Sequence, residues 1–521
     1  MKHHNSNLCS ECIPTPYELS FDVADAATCS QCNQVGECWD KELIEMYYSY
    51  GLDNDFIWMY LPRLRVTVDH QYSLGDLETL VSNYVAKSKG TFSCHSFERL
   101  DGSKLEFNPY ASTGNYNVGI YGSPGVGKQT LAKTLIKNHI TQHKNHIVFT
   151  ISDTGSFTRF TTYNGYEPIV PTVQAKFQIN PFSYLADDSD LNSTNVDLVK
   201  NVIAYMAGNG NQLSDYQDAI LSQHINTVIE MSWKNAKIED VLGLCKESED
   251  DRVIEMATNL QKWGCGGEFE DFFAENNPLL TVTPGINSFD LSGLHGNEDL
   301  LNIYTLLASC VVGTYLDENR SRVHSMLVTD LSSWLGSQNL YVSHSIVSIS
   351  RRLRPSNCVG VNLFYEYEAS SPCSNASLLM NNCHWNFILH HDNDKAIEAL
   401  THSSLPIEDT DLFKINSLKT SKSDGSKLLF VSPECKELIS LKLEESERLE
   451  YSVDYYDQED IDNVVRRGSD YQSALKICEL KNELRDLLGS AEDKSEIADE
   501  TEILSSQGFK DRVLRLLGRS K

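Results

Sequence analysis

Short apolar runs alternate with one helical stretch between residues 117 and 152. NVGIYG reads as a strand running into a glycine-rich turn, TLAKTLIKNHI spaces its apolar positions at helical intervals, and HIVFTIS is a second apolar strand. Strand, loop, helix and strand in that order open a parallel α/β sheet. Residues 190–275 are polar and helical in pattern, with few strand signals, and read as an insertion or lid. Strand signals resume at LLTVTPGINSFDLSGL, a long helix is predicted over 300–318, and SMLVTDL, VGVNLFYEY and HWNFILH follow as strands. KLLFVSP is expected as a late edge strand. From about residue 441 the chain is acidic and helical, and the segment after Gly489 reads as a flexible tail closing in a basic amphipathic FKDRVLRLLGRSK. Ahead of the sheet, residues 1–45 are cysteine-rich and polar, while 46–105 are mixed, with a strand-like LPRLRVTV and a helical segment over 74–87. No internal repeat is visible.

Composition changes this picture in three ways. At 40% hydrophobic and 22% charged residues the chain reads as ordinary globular protein. A net charge of −29 repels nucleic acid over most of the surface, so DNA contact would need a local basic patch, and basic partner proteins fit the charge better. The first 15 residues lack the apolar core of a signal peptide. The most apolar run, 303–316, is about 14 residues, short of the roughly 20 that span a bilayer, and is expected as a buried helix. The expected location is therefore cytoplasmic, with any membrane association made through partners. Fourteen cysteines scattered without a secretion signal favour free thiols in a reducing compartment, the N-terminal cluster excepted.

The segment GSPGVGKQT matches the phosphate-loop pattern at Gly122, Gly127 and Lys128, with Gly125 a further small residue in the turn. Small residues let backbone N–H groups wrap phosphates closely, the helix that starts there adds its positive end, and Lys128 would reach the β- and γ-phosphates. The pattern asks next for Ser or Thr as a Mg²⁺ ligand, but position 129 is Gln129, whose amide oxygen is longer and a weaker ligand, and Thr130 comes one residue late. The strand before and the helix and strand after the motif give it its weight; a ligand-free glycine turn is the plainer alternative.

On these residues the chain resembles the TraC-like ATPases of conjugative type IV secretion, within the wider HerA/FtsK group of P-loop motors. FNPYASTGNYNVGIYGSPGVGKQT looks like the family's approach to its phosphate loop. HIVFTISDTGSF is similar to its second strand, FQINPF to its NPF signature, and WGCGGEFEDFF with NSFDLSGL to the stretch before its long helix. SMLVTDLSSWL sits where the Walker B strand belongs, and SRRLRPSN where the family has a basic motif. The likeness covers roughly residues 104–450, and the order of the segments is more specific than any one of them. It implies an α/β fold with a RecA-like P-loop core over 104–450 that carries the helical insertion at about 190–275. Around that core are expected a short N-terminal region over 1–103, with a zinc-type cysteine cluster within 1–45, and an acidic helical extension over 451–521. Family members usually carry a longer N-terminal domain, and these first residues do not match it.

The catalytic positions depart from the family. A Walker B strand ends in an Asp for the Mg²⁺ shell followed by a Glu that polarises water. Here Met326-Leu327-Val328-Thr329-Asp330-Leu331 holds one acid. If Asp330 serves the metal, Leu331 replaces the base; if Asp330 is the base, Thr329 replaces the metal residue; or Asp330 merely caps a strand. Where the family places a phosphate-sensing Gln, this chain offers Tyr365, Glu366 or Tyr367. Arg351, Arg352 and Arg354 would supply a finger to a neighbouring subunit or form a solvated, acid-paired face. Asp153 would contact the nucleotide's water or simply form a turn. The combined losses predict slow or absent hydrolysis.

Cys9-x2-Cys12 and Cys29-x2-Cys32, separated by 16 residues, have the spacing of a tetrahedral Zn²⁺ site. Free thiols, an iron–sulfur centre or a redox pair remain open, and Cys38, His3 and His4 are spare ligands. His390-His391-Asp392 is expected as a strand-end polar cluster, and Trp263, Trp334 and Trp385 as core or interface aromatics.

The leading expectation is an ATP- and Mg²⁺-binding subunit at the cytoplasmic base of an inner-membrane translocation or pilus-assembly channel, in a homo- or hetero-oligomeric, hexameric ring with other secretion proteins. The alternatives are a catalytically silent structural paralogue and a DNA-pumping motor, the latter opposed by the charge.

Overall fold

The structure is a computed structural model that describes residues 95–492, apart from short internal stretches of which the longest are 186–191, 274–279, 331–338 and 366–374. Cys9, Cys12, Cys29 and Cys32, the strand-like LPRLRVTV and the basic amphipathic tail lie outside the described residues. The chain forms two compact units, divided between Lys442 and Leu443.

The first unit is built on one mixed sheet. Its strands are β1 (His95–Arg99), β2 (Lys104–Phe107), β3 (Val118–Tyr121), β4 (Ile147–Ser152), β5 (Gly285–Asp290), β6 (Ser325–Asp330), β7 (Cys358–Phe364), β8 (Trp385–Ile388), β9 (Thr420–Ser421), β10 (Gly425–Val431) and β11 (Lys436–Leu441). The order is β2-β1-β11-β10-β8-β3-β7-β6-β4-β5, with β9 on β10. From β8 to β5 every pairing is parallel; from β10 to β2 every pairing is antiparallel. β3 thus lies centrally between β7 and β8. The strands β3, β5, β6 and β7 are buried at every position. Near-continuous apolar runs such as VGIY and CVGVNLF are what parallel strands covered on both faces require.

One expectation is corrected. KLLFVSP forms β10, but β10 is interior, paired with β8 on one side and β11 on the other. Its neighbour KELISL is half polar and buries only its second half, so its periodicity is weak. Pairing in register with Val431↔Lys436 makes it a strand all the same.

Helices cover the sheet. In chain order those ahead of β7 are α1 (Lys128–Gln142), α2 (Thr158–Tyr163), α3 (Asn192–Ala207), α4 (Asp215–Ser232), α5 (Ile238–Lys246), α6 (Asp251–Gln261), α7 (Glu298–Glu318) and α8 (Leu340–Arg352). The four helices α3 to α6 fall between β4 and β5, within the stretch read as an insertion. They share one core with the sheet, in which Trp263 is 1% exposed and stacks on Phe269. Ser214 caps α4 through a capping box with Gln217, which fixes where that helix begins.

The long apolar run is α7, extending two residues before the predicted start. Among the described residues it alone is long and apolar enough to cross a membrane, and 83% of its most apolar stretch is buried inside the protein. It packs against α3 and α8. At its last turn Asp317 accepts a hydrogen bond from Arg352 Nη1 at 3.0 Å, with the acid side chain 2% and the arginine 14% exposed. The arginine expected as a candidate finger is therefore held inside its own chain.

The second unit is helical, over Glu445–Tyr451, Tyr455–Arg466 and Tyr471–Glu492. Its core holds Leu449, Ile461, Ala474, Leu475 and Cys478. Asp454 caps the middle helix, and Arg448 bridges Glu445 and Asp457.

Two measurements check this packing. Arg352→Met removes the buried ion pair with Asp317, so denaturant unfolding should show a loss of about 3 kcal/mol. His95 opens β1 against Phe97, and burial lowers its pKa to about 4, with Glu106 opposing the shift. The unfolded chain takes up that proton near pH 6.5, so the histidine's contribution is full above 6.5 and is lost as the pH falls towards 4. His95→Gln should flatten the dependence of the urea midpoint across that window.

Candidate functional site

β3 ends at Tyr121, and the chain turns through Gly122 to Gly127 directly into α1. Gly125 and Gly127 have φ of +79° and +103°, a region that side chains disfavour. Gly122 is required for space instead, because an added Cβ would lie 2.7 Å from Val126 Cγ2 and 3.1 Å from Leu389 Cβ. The end of β8 braces the turn: Ser123 N–H donates to the His390 carbonyl at 3.1 Å, and Asp392 N–H to Ser123 Oγ at 2.8 Å. Pro124 and Gly125 stay exposed at the crest. The first amides of α1 therefore face an open, anion-accepting turn.

Lys128 is 4% exposed and donates to the carbonyls of Gly122 at 2.6 Å and Ser123 at 2.8 Å. Its ammonium lies 3.9 Å from the centroid of the Tyr365 ring, close enough for a cation–π contact. Tyr365 follows the last residue of β7, which pairs with β3 in the register Tyr121↔Phe364, so the two strand ends arrive side by side.

Asp330 ends β6, fully buried. Its Oδ2 accepts from Gln129 Nε2 at 2.8 Å, from Thr154 Oγ1 at 3.1 Å and from Ser156 Oγ at 3.1 Å, and its Oδ1 accepts from Tyr365 OH at 2.8 Å. The phosphate-loop helix, the turn after β4 and the end of β7 thus converge on one carboxylate. Charge-assisted bonds of this kind are about twice as strong as neutral ones.

Among the predicted residues the structure brings together Gly122, Gly125, Gly127, Lys128, Gln129 and Asp330. Thr130 follows on α1, half-buried, and its carbonyl accepts from Thr134 Oγ1 at 2.9 Å. Asp153 borders the site through its backbone: its N–H donates to the Asp330 carbonyl at 3.2 Å, and its own carbonyl lies 2.6 Å from His295 Nε2. Thr329 faces away, donating to Asn362 Oδ1 at 2.7 Å. Asp330, not Thr329, therefore meets position 129.

Arg351 and Arg352 are not brought to this site. They end α8, before β7 begins, whereas the phosphate loop lies where the parallel strands end. A seven-residue strand separates the two edges by roughly 20 Å. Arg351 is exposed, Arg352 is paired with Asp317, and Arg354 lies 6.0 Å from the Tyr116 ring. His390 pairs with Asp392 at 3.1 Å, as a strand-end cluster would, and no group of metal-ligating side chains occurs among the described residues. Trp385 donates to the Pro109 carbonyl and stacks on Phe430. Leu331, Trp334, Glu366 and Tyr367 lie outside the described residues.

The sequence reading missed Thr154 and Ser156 as contacts of the acid. Their signal was the DTGS turn directly after an apolar strand, where hydroxyls are placed to bond nearby polar groups.

No family model matches the chain, and no curated protein matches it. Solved structures do. VirB4 of Thermoanaerobacter pseudethanolicus superposes with a TM-score of 0.52 at 18% identity, covering 67% of this chain and 96% of that one. The plasmid coupling protein TrwB in complex with a non-hydrolysable GTP analogue gives 0.42 at 11% identity, covering 63% and 85%. TrwB with ADP and Mg²⁺ gives 0.41 at 13%, covering 63% and 84%. The fold is thus shared with VirB4, and the expected likeness to conjugative P-loop proteins is borne out at the level of fold.

Asp330→Asn removes the charge and turns an amide donor on to hydroxyl and amide donors. It should lower stability by about 3 kcal/mol in denaturant unfolding, since hydrogen bonds to a buried charge are lost together. An unchanged midpoint would show that the four contacts carry no net energy.

Proposed function

We propose that this chain is a nucleotide-binding subunit of the conjugative type IV secretion ATPase family, taking ATP at the loop between Gly122 and Lys128. The observation that carries the reading is the convergence of the glycine turn, the buried Lys128 and the buried Asp330 at the ends of the parallel strands β3 and β6, which flank β7. The shared fold with VirB4 and the ordered motifs from FNPYASTGN to SRRLRPSN support it.

The residues present can accept Mg²⁺. Asp330 supplies the negative charge, and the Gln129 amide, turned over, offers an oxygen in place of the usual hydroxyl. Bound there, the ion would neutralise phosphate charge. Loop and α1 amides would hold the inner phosphates, and Lys128 would leave the Gly122 and Ser123 carbonyls for phosphate oxygens. With Asp330 at the metal side of position 129, the water-activating position falls on Leu331, which has no proton acceptor.

That last point favours a second reading, a silent paralogue that keeps the fold and the ring-forming surface while an active relative hydrolyses ATP. In either case the subunit would sit in the cytoplasm at the inner membrane, in a hexameric ring held by secretion-channel proteins. Its N-terminal region would be pinned by Zn²⁺ on Cys9, Cys12, Cys29 and Cys32. Arg351 and Arg354, exposed at the far sheet edge, would be the arginines facing a neighbouring subunit.

The test is Mg²⁺-dependent ATP turnover by the purified, zinc-loaded protein, with Lys128→Ala as control. Turnover lowered at least about tenfold by the substitution supports an ATPase, that ratio corresponding to one lost charged contact of about 1.4 kcal/mol. Turnover equal in both proteins, together with nucleotide binding only in the unsubstituted one, supports the silent subunit. No binding in either protein overturns both readings.

A further inference from the structure

We infer that Tyr365 sets which nucleotide this site holds: it closes the terminal-phosphate side, so that a nucleoside diphosphate is preferred over the Mg²⁺-bound triphosphate until Tyr365 turns away. The inference rests on the nucleotide-binding reading.

A phosphate loop has two working parts. Backbone amides of the turn and helix start hold the inner phosphates, the lysine reaches the β- and γ-phosphates, and the metal-side acid serves the cation beside the γ-phosphate. In this chain the first part is open, with Pro124 and Gly125 exposed. The second part is covered by one side chain. The Tyr365 ring lies 3.9 Å from the Lys128 ammonium, and its hydroxyl donates to Asp330 Oδ1 at 2.8 Å. The remaining oxygen of that acid already accepts from Gln129, Thr154 and Ser156.

A terminal phosphate must therefore displace an aromatic face from the lysine, and its cation must displace a hydroxyl from the acid. A diphosphate can share Lys128 at its β-phosphate, but it brings no γ-phosphate into the span between Lys128 and Asp330 that Tyr365 bridges. Tyr365 is half-buried at a strand end, so it can turn outward without opening the core. It acts as a specificity-determining residue through the two groups it covers. Gln129 reinforces it from the opposite side of the carboxylate.

The test is equilibrium binding to the full-length protein. A fluorescent nucleotide is displaced by ADP or by a non-hydrolysable ATP analogue, each with Mg²⁺ or with EDTA. The unsubstituted protein should bind ADP about tenfold more tightly than the analogue, the size of one desolvated cation–π contact. Tyr365→Ala should bring the two to within about twofold and make analogue binding depend on Mg²⁺. Tyr365→Phe keeps the ring over Lys128 but releases Asp330, so the ADP preference should persist while the analogue becomes responsive to Mg²⁺. That variant decides the question if the alanine form does not fold. An unchanged ADP-to-analogue ratio in Tyr365→Ala, or equal affinity for both in the unsubstituted protein, overturns the inference and leaves the nucleotide site standing. Failure to bind either nucleotide overturns the nucleotide site itself, and this inference with it.

Discussion

The Asp330 carboxylate is buried at the end of a central strand and must be satisfied there. Burying a carboxylate without hydrogen-bond partners is costly, so its surroundings have to supply donors. They come from Gln129 on the phosphate-loop helix, from Thr154 and Ser156 after β4, and from Tyr365 after β7. One charge thereby ties the edges of three neighbouring strands to the start of α1.

The sheet makes that convergence possible. With β3 between β7 and β8, and β6 beside β7, the ends of the parallel strands lie in a row. Everything at that edge can share one ligand, and everything at the opposite edge is a strand's length away. The separation explains why Tyr365 reaches both Lys128 and Asp330 while Arg351 and Arg352 stay at the other edge. It also explains why Arg352 finds Asp317, since both stand at the edge where α7 and α8 hand the chain back to β6 and β7. The insertion α3 to α6 shares the sheet's core, so it is part of the same cooperative body and not a loosely attached lid.

Gln129 and Tyr365 alter the usual division of labour at a phosphate loop without emptying it. The amide donates to the acid where a hydroxyl would face the metal, and the tyrosine covers the lysine where a sensing amide would meet the phosphate. Together they donate to opposite oxygens of one carboxylate.

Much of the fold could be read from periodicity alone. The parallel strands carry continuous apolar runs because both their faces are covered, and NVGIYG, HIVFTIS and SMLVTDL declare themselves for that reason. The glycine turn and Lys128 were equally visible, since backbone that wraps an anion excludes side chains. The strand KELISL and the interior position of β10 were not visible, because a half-polar strand is defined by the partner it pairs with. Nor could local sequence decide between Thr329 and Asp330, or show that Thr154, Ser156 and Tyr365 surround the acid. Those residues lie 176, 174 and 35 positions from Asp330 along the chain, and only the parallel register of the strands brings their hydroxyls to it.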